Sequence, residues 1–154
     1  MEFFEVLANR HSCRSYLSKQ VEEGKLKKVL EALQTAPSAG GLEAYSVIVL
    51  KDAGDKERLA EAALGQGFIA EAPVNLVFFA EPEKSAAKYG ERGRRLYAVQ
   101  DATIAASYAQ LAAVAQGLSC AWVGAFEDNE VRKACGVKGS SVPVAIIPIG
   151  YGKE

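Results

Sequence analysis

"AVQDATIAASYAQLAAVA", residues 98–115, sets alanine at positions 98, 102, 105, 106, 109, 112, 113 and 115, with Ile104 and Leu111 among them. The spacing predicts a helix that is apolar around most of its circumference, and such a helix has to be covered on most sides. Its small side chains let neighbouring helices approach closely. Two arrangements satisfy that demand: the helix is the centre of a monomeric core, or a second subunit covers part of it. Gln100, Asp101, Gln110 and Gln116 interrupt the apolar run, so it does not read as a membrane span.

Outward from this helix the pattern changes several times. On its N-terminal side Phe3, Phe4, Val6 and Leu7 predict a short first helix ending near Asn9, and Val21, Leu26, Val29, Leu30 and Leu33 predict a second. The second helix stops before "PSAGG", because the residue preceding a proline is pushed out of the helical region. "YSVIVLKD" reads as a β-branched strand, "DKERLAEAALGQ" as a helix, and Pro73 opens a strand, "VNLVFFA". Residues 83–117 read as helical. On the C-terminal side "SCAWVGAF" reads as a third strand or strand end, "DNEVRKAC" as a short helix and "VPVAIIPIGY" as a last strand. Helices and strands mix without a regular βαβ repeat. The expected architecture is therefore an α+β domain over residues 1–154, with one sheet of four to five strands.

Composition narrows the function classes. A chain of 154 residues with 49% apolar and 24% charged residues has enough material for a core without staples. A net charge of −1 argues against a general nucleic-acid binder. Cys13, Cys120 and Cys135 share no metal-ligand spacing, and an odd count argues against a disulfide framework. The first apolar residues are too few and too interrupted for a signal peptide. The expectation is a cytoplasmic protein that binds neither membrane nor nucleic acid.

Four polar stretches remain. "RHSCRSYL" (10–17) offers two guanidiniums and hydroxyls suited to holding a phosphate, and reads also as basic residues complementing the dipole at a helix C-terminus. "APSAGG" (36–41) is a turn where backbone can approach a flat ligand, or simply a helix–strand connection. In "CAWVGAF" (120–126) a glycine inside a strand-like run marks a bulge, a bend or a ligand lying against the backbone, while Cys120 and Trp122 read as core. "KYGERGRR" (88–95) is a basic run, either solvated or reading an anion such as the 2′-phosphate of NADPH. G-x-G-x-x-G, P-loop and G-x-S-x-G patterns are absent, so an enzyme built on this chain would leave its chemistry to a cofactor.

Taken in order, these stretches resemble the nitroreductase family of FMN-dependent oxidoreductases. The resemblance rests on the R-[RH]-S-x-[RK] start, on "APSAGGLEAYSVIVL" for A-P-S-x-x-N-x-Q-P-W and its strand, on "AEAPVNLVFFA", on "QDATIAASYAQLAAVAQGLSCAWVGAF" and on "VPVAIIPIGYG". It implies a mixed, largely antiparallel sheet flanked by helices, in a homodimer with FMN at the interface. It further implies that Arg10 and Ser12 hold the FMN phosphate, that His11 contributes through backbone or ring, and that Arg14 lies beside the N1/O2 edge of the flavin. Pro37, Ser38 and Ala39 match the loop that reaches across from the second subunit, with Gly41 of the same loop also counted as cofactor-binding, and Gln66 sits where relatives often have an amide touching the pyrimidine. Gly124 and Ala125 match the segment facing flavin N5. The implied activity is hydride transfer from NAD(P)H to a small acceptor such as a nitroaromatic or quinone, with no catalytic side chain assigned. Specialised flavin chemistry, or flavin storage and sensing without turnover, are the alternatives. The chain departs from the pattern in having Gly41, Glu43, Ala44 and Tyr45 where the family has asparagine, glutamine, proline and tryptophan. It also ends at "GYGKE" where many relatives add a basic arm, so that Lys153, Arg94 or Arg95 are the expected substitutes.

Overall fold

A computed structural model describes residues 1–153. The first helix, α1 (Phe3–Asn9), starts at a capping box: the Glu2 carboxylate accepts the Phe4 N–H at 2.7 Å and Glu5 accepts the Glu2 N–H at 3.3 Å. Helix α2 (Glu23–Leu33) buries Leu26, Val29 and Leu33, three of the five apolar positions that predict it. A 3₁₀ turn (Ala39–Gly41) leads to β1 (Tyr45–Leu50). Helix α3 (Ala53–Ala62) is capped by Asp52, and a single turn, α4 (Phe68–Glu71), precedes β2 (Val74–Ala80).

Next come α5 (Pro82–Arg92), a π turn (Gly93–Tyr97) and α6 (Ala98–Ala115). The region expected to be helical over 83–117 is broken at Gly90, whose φ of 59° and ψ of −141° fold α5 back on itself. After α6 come β3 (Ser119–Cys120), α7 (Asp128–Cys135), ended by left-handed Gly136, and β4 (Val142–Gly150).

The four strands pair antiparallel in the order β1-β2-β4-β3. This is the α+β architecture expected, at the lower end of the strand count. The third strand is shorter than "SCAWVGAF" suggests. Ala121 N–H reaches the Pro148 carbonyl at 3.4 Å, but proline has no N–H to return, so the ladder lapses and resumes only at the Val123–Ile146 bridge.

Strand β2 is buried on both faces, which is why it reads as an uninterrupted apolar run. Leu76 and Phe78 join Ile147, Ile149, Val29, Leu33 and the inward alanines of α6 on one side. Val77 and Phe79 join Ile146, Leu59, Ile69 and Val131 on the other. Helices α1, α2 and α6 thus cover one face of the sheet, and α3, α4 and α7 the other. Among the described residues no helix is long and apolar enough to cross a membrane.

Candidate functional site

Beyond α1 the chain runs extended along the β3 edge. Ser12 bridges Cys120 in parallel and the Cys13 N–H donates to the Cys120 carbonyl at 2.9 Å. Side chains alternate along an extended backbone. Burial of Cys13 therefore turns Ser12 and Arg14 outward, and both are exposed, as are Arg10 and His11. His11 Nδ1 lies 3.0 Å from the Asn9 carbonyl oxygen. Within α1 no basic residue lies in the last turn, but Arg10 is its C-cap, its N–H donating to the Val6 carbonyl at 3.0 Å, so a cation does stand at that helix's C-terminus.

Several contacts hold this segment in place. Buried Tyr16 donates its hydroxyl to the Cys13 carbonyl at 2.7 Å, and burial keeps that phenol's pKa well above its usual value. The Tyr16 N–H donates to Glu71 Oε1 at 3.0 Å, Leu17 N–H to the Tyr151 carbonyl, and Lys153 N–H to the Ser15 carbonyl. The closing "GYG" follows from this crossing. A Cβ at Gly150 would lie 2.6 Å from Pro73 Cδ and 3.2 Å from the Tyr16 ring, and one at Gly152 would lie 3.0 Å from Cys13 Sγ. Of the three residues expected to replace a basic arm, Lys153 stands beside the 13–16 turn, its Nζ 4.0 Å from Glu71. Arg94 is instead engaged on its own hairpin by Glu83, at 2.9 and 3.0 Å, and by Glu91. Arg95 lines a surface hollow with Glu91, Arg92 and Leu96.

The same side of the sheet holds a second group. Gln66 donates through Nε2 to the carbonyls of Ala63 (2.8 Å) and Ala125 (3.2 Å). This brings Gln66 against the 124–125 segment. Both Nε2 hydrogens are used, which leaves Oε1 as its acceptor. Gly124 and Ala125 are exposed, and among the described residues their N–H groups have no acceptor. Trp122 corrects the reading of "CAWVGAF": it is 36% exposed, while Cys120 is fully buried. Burial pushes the thiols of Cys120 and Cys135 up to about 11 and about 12, so neither is a thiolate at neutral pH.

The loop of Pro37, Ser38, Ala39 and Gly41 lies elsewhere. It precedes Tyr45, at the start of β1, whereas Ser12 pairs with Cys120 on β3. Strands β1 and β3 are opposite edges of the sheet, and the register sets Tyr45 and Cys120 toward opposite ends. Three inter-strand steps and about six residues of rise put these corners about 25 Å apart. A single chain therefore does not bring its two groups of expected site residues together.

The loop is nevertheless built. Gly40, Gly41 and Glu43 have φ of 61°, 69° and 48°. The positive φ favours glycine at Gly40, where a Cβ would also meet the Tyr89 hydroxyl. Ser38 Oγ accepts the Glu43 N–H at 3.0 Å. Asp101, on the first turn of α6 and 2% exposed, accepts the Ala39 and Ala44 N–H groups at 3.1 Å each. Sequence reading noticed Asp101 only as a polar interruption. An acid embedded in an otherwise apolar helix was the available signal.

Residues 7–151 match the nitroreductase family. An NADH dehydrogenase of Thermus thermophilus is 30% identical over 172 aligned residues, spanning 94% of this chain and 84% of that protein. A nitroreductase family protein of Clostridium novyi superposes with a TM-score of 0.91 at 26% identity, over 100% of this chain and 87% of that one. An FMN-dependent nitroreductase of Clostridium difficile gives 0.85 at 31% identity, over 98% and 88%. With the order of its motifs, its antiparallel sheet and this match over nearly its whole length in agreement, the chain belongs to the nitroreductase family.

Proposed function

We propose that this protein is an FMN-dependent oxidoreductase that moves hydride from NAD(P)H to a small acceptor such as a nitroaromatic or quinone, and that it works as a homodimer with a flavin at each subunit interface. The carrying observation is the divided site. Exposed guanidiniums, a hydroxyl and acceptor-less N–H groups line one corner of the sheet, and a preformed glycine loop occupies the opposite corner. Two copies are needed to bring the corners together. An exposed apolar surface supports that pairing: Phe3 (58% exposed) and Tyr108 (38%) line an open apolar groove of about 490 Å³ along α1 and α6, and Phe4 (72%) is exposed next to Phe3 on α1. The helix that is apolar all round is covered on only part of its circumference by its own chain.

The residues fit the cofactor by the chemistry of their donors. Arg10 and Ser12 present charge-assisted donors for a phosphate, with His11 between them. Arg14 supplies a fixed positive charge where negative charge develops on the ring system. Gln66, anchored through its nitrogen, offers Oε1 to an imide N–H, and the open N–H groups of Gly124 and Ala125 suit the ring edge that exchanges hydride. FMN, when bound, supplies a centre that accepts and releases hydride, and the protein supplies binding, orientation and electrostatics. No side chain is assigned a proton-transfer or nucleophilic role.

The test is an absorbance spectrum after reconstitution with FMN and desalting, followed by anaerobic NADH or NADPH. A retained flavin band that bleaches with one of the nucleotides is expected. A retained band that stays oxidised with both would turn the reading toward storage or specialised flavin chemistry, and no retained flavin would overturn it.

A further inference from the structure

We propose that Asp101 is a positioning residue: its buried carboxylate fixes the 37–44 loop in the shape it presents to the flavin held by Arg10, Ser12 and Arg14 of a second copy. The inference rests on the flavin reading above and adds a residue that touches neither cofactor nor substrate.

Three observations carry it. The two carboxylate oxygens divide their work, Oδ1 accepting from Ala39 at 3.1 Å and Oδ2 from Ala44 at 3.1 Å, so a single side chain pins both ends of the turn. Between the pins lie three residues with positive φ, one of them Glu43, which has no glycine freedom to hold that conformation by itself. The remaining internal bonds (Gly41 N–H to the Ser38 carbonyl, Leu42 N–H to the Ala39 carbonyl, Glu43 N–H to Ser38 Oγ) leave the exposed Gly40 N–H without an acceptor among the described residues. The loop is thus organised before any ligand arrives, with one donor left over at its tip.

The residue type follows from the same geometry. Both targets are N–H donors, and an ionised carboxylate is acceptor-only on both oxygens. An asparagine would satisfy one N–H and turn its own NH₂ toward the other. Because Asp101 belongs to α6, the loop's position is tied to the helix whose outer face carries the proposed subunit contact.

The experiment compares wild type, Asp101→Asn and Ala39→Pro. The proline deletes one of the two donors at the first position of a 3₁₀ turn, following an extended Ser38 (φ −144°, ψ 157°), a context proline accepts. It also serves if the asparagine variant fails to fold. Amide exchange by mass spectrometry is read on the FMN-free proteins, and FMN affinity by flavin fluorescence. In both variants, exchange over residues 37–45 is expected to rise while β2 and β4 remain protected, and FMN is expected to bind about tenfold more weakly, the scale of one lost charge-assisted hydrogen bond. Mixing Asp101→Asn with an Arg10→Ala/Arg14→Ala chain is expected to restore tight FMN sites that neither variant has alone, since each mixed dimer contains one site with an intact loop and intact arginines. FMN affinity within twofold of wild type, faster exchange throughout the sheet, or no recovery on mixing would each overturn the positioning role. Wild-type protein that binds no FMN would instead refute the flavin reading beneath it, while the exchange comparison would still report whether Asp101 pins the loop.

Discussion

Tyr16 organises the N-terminal half of the site without belonging to it. Its hydroxyl satisfies the Cys13 carbonyl, its N–H is taken by Glu71, and its ring packs over Gly150, so the Arg14 between them has little freedom of backbone. Tyr16→Phe is expected to leave the Cys13 carbonyl buried and unsatisfied, at a cost of about 1–2 kcal/mol. That corresponds to a fall in Tm of about 2–8 °C for a chain of this size, measurable by calorimetry. The same change is expected to weaken FMN binding severalfold through Arg14; unchanged affinity would mean that Arg14 does not depend on this turn. At this scale the sequence pointed to candidates where polar and cationic residues cluster, as at Arg10, Ser12 and Arg14, all of them exposed. It was not readable where a residue acts through another. Asp101 and Tyr16 look like an interruption and an aromatic until their partners, 62 and 3 residues away, are known.

At the scale of elements, the C-terminal tail is tied to α2 by one small cluster. The Tyr151 hydroxyl donates to Glu22 at 2.6 Å and accepts from Lys25 Nζ at 2.9 Å, and Lys19 lies over its ring. The hydrogen bond from Tyr151 holds the Glu22 carboxyl below its ordinary pKa, and Tyr151 likewise raises that of Lys25. The depressed carboxylate contributes stability that is complete above the unfolded value of about 4.3 and is lost as pH falls through the lower folded value. The raised ammonium contributes stability that is complete below about 10.4 and is lost as pH rises through its higher folded value. Glu22→Gln is therefore expected to lower Tm slightly on the neutral plateau, where the carboxylate's contribution is complete, and to converge on wild type below about pH 4.3, so that the acid limb is flatter. An acid limb identical to wild type would remove Glu22 from the account. Most elements were legible from local pattern, including α7 and β2 to within a residue. The exceptions share a cause: β3 is curtailed by Pro148 on the strand beside it, and the long helical region is folded at Gly90 and packed tightly where Gly93 meets Ser85.

For the whole molecule, the apolar strip along α1 and α6 is the feature with the largest consequence. Phe4 is the most exposed large apolar side chain of the chain's N-terminal helix and supports nothing inside its own core. Phe4→Glu is expected to leave the monomer fold intact by circular dichroism, to shift the sedimentation coefficient toward a monomer, and to reduce FMN retention in parallel. A variant that remains dimeric and holds flavin normally would place the subunit contact elsewhere. Loss of flavin from a variant that remains dimeric would separate the patch's role from assembly.

The linear order of residues was sufficient for what depends on neighbours in the chain. Periodicity fixes helices and strands, proline and glycine fix their ends, and the sequence of motifs carries the family, because each of these is a local steric or hydrophobic preference repeated along the backbone. The strand order β1-β2-β4-β3 depends on which buried faces fit together. So does the separation of the arginine segment from the glycine loop at opposite corners of the sheet. So too does the burial of Asp101 beneath that loop. These are outcomes of packing between segments far apart in sequence, where the free energy lies in matching surfaces, and no local pattern encodes the match.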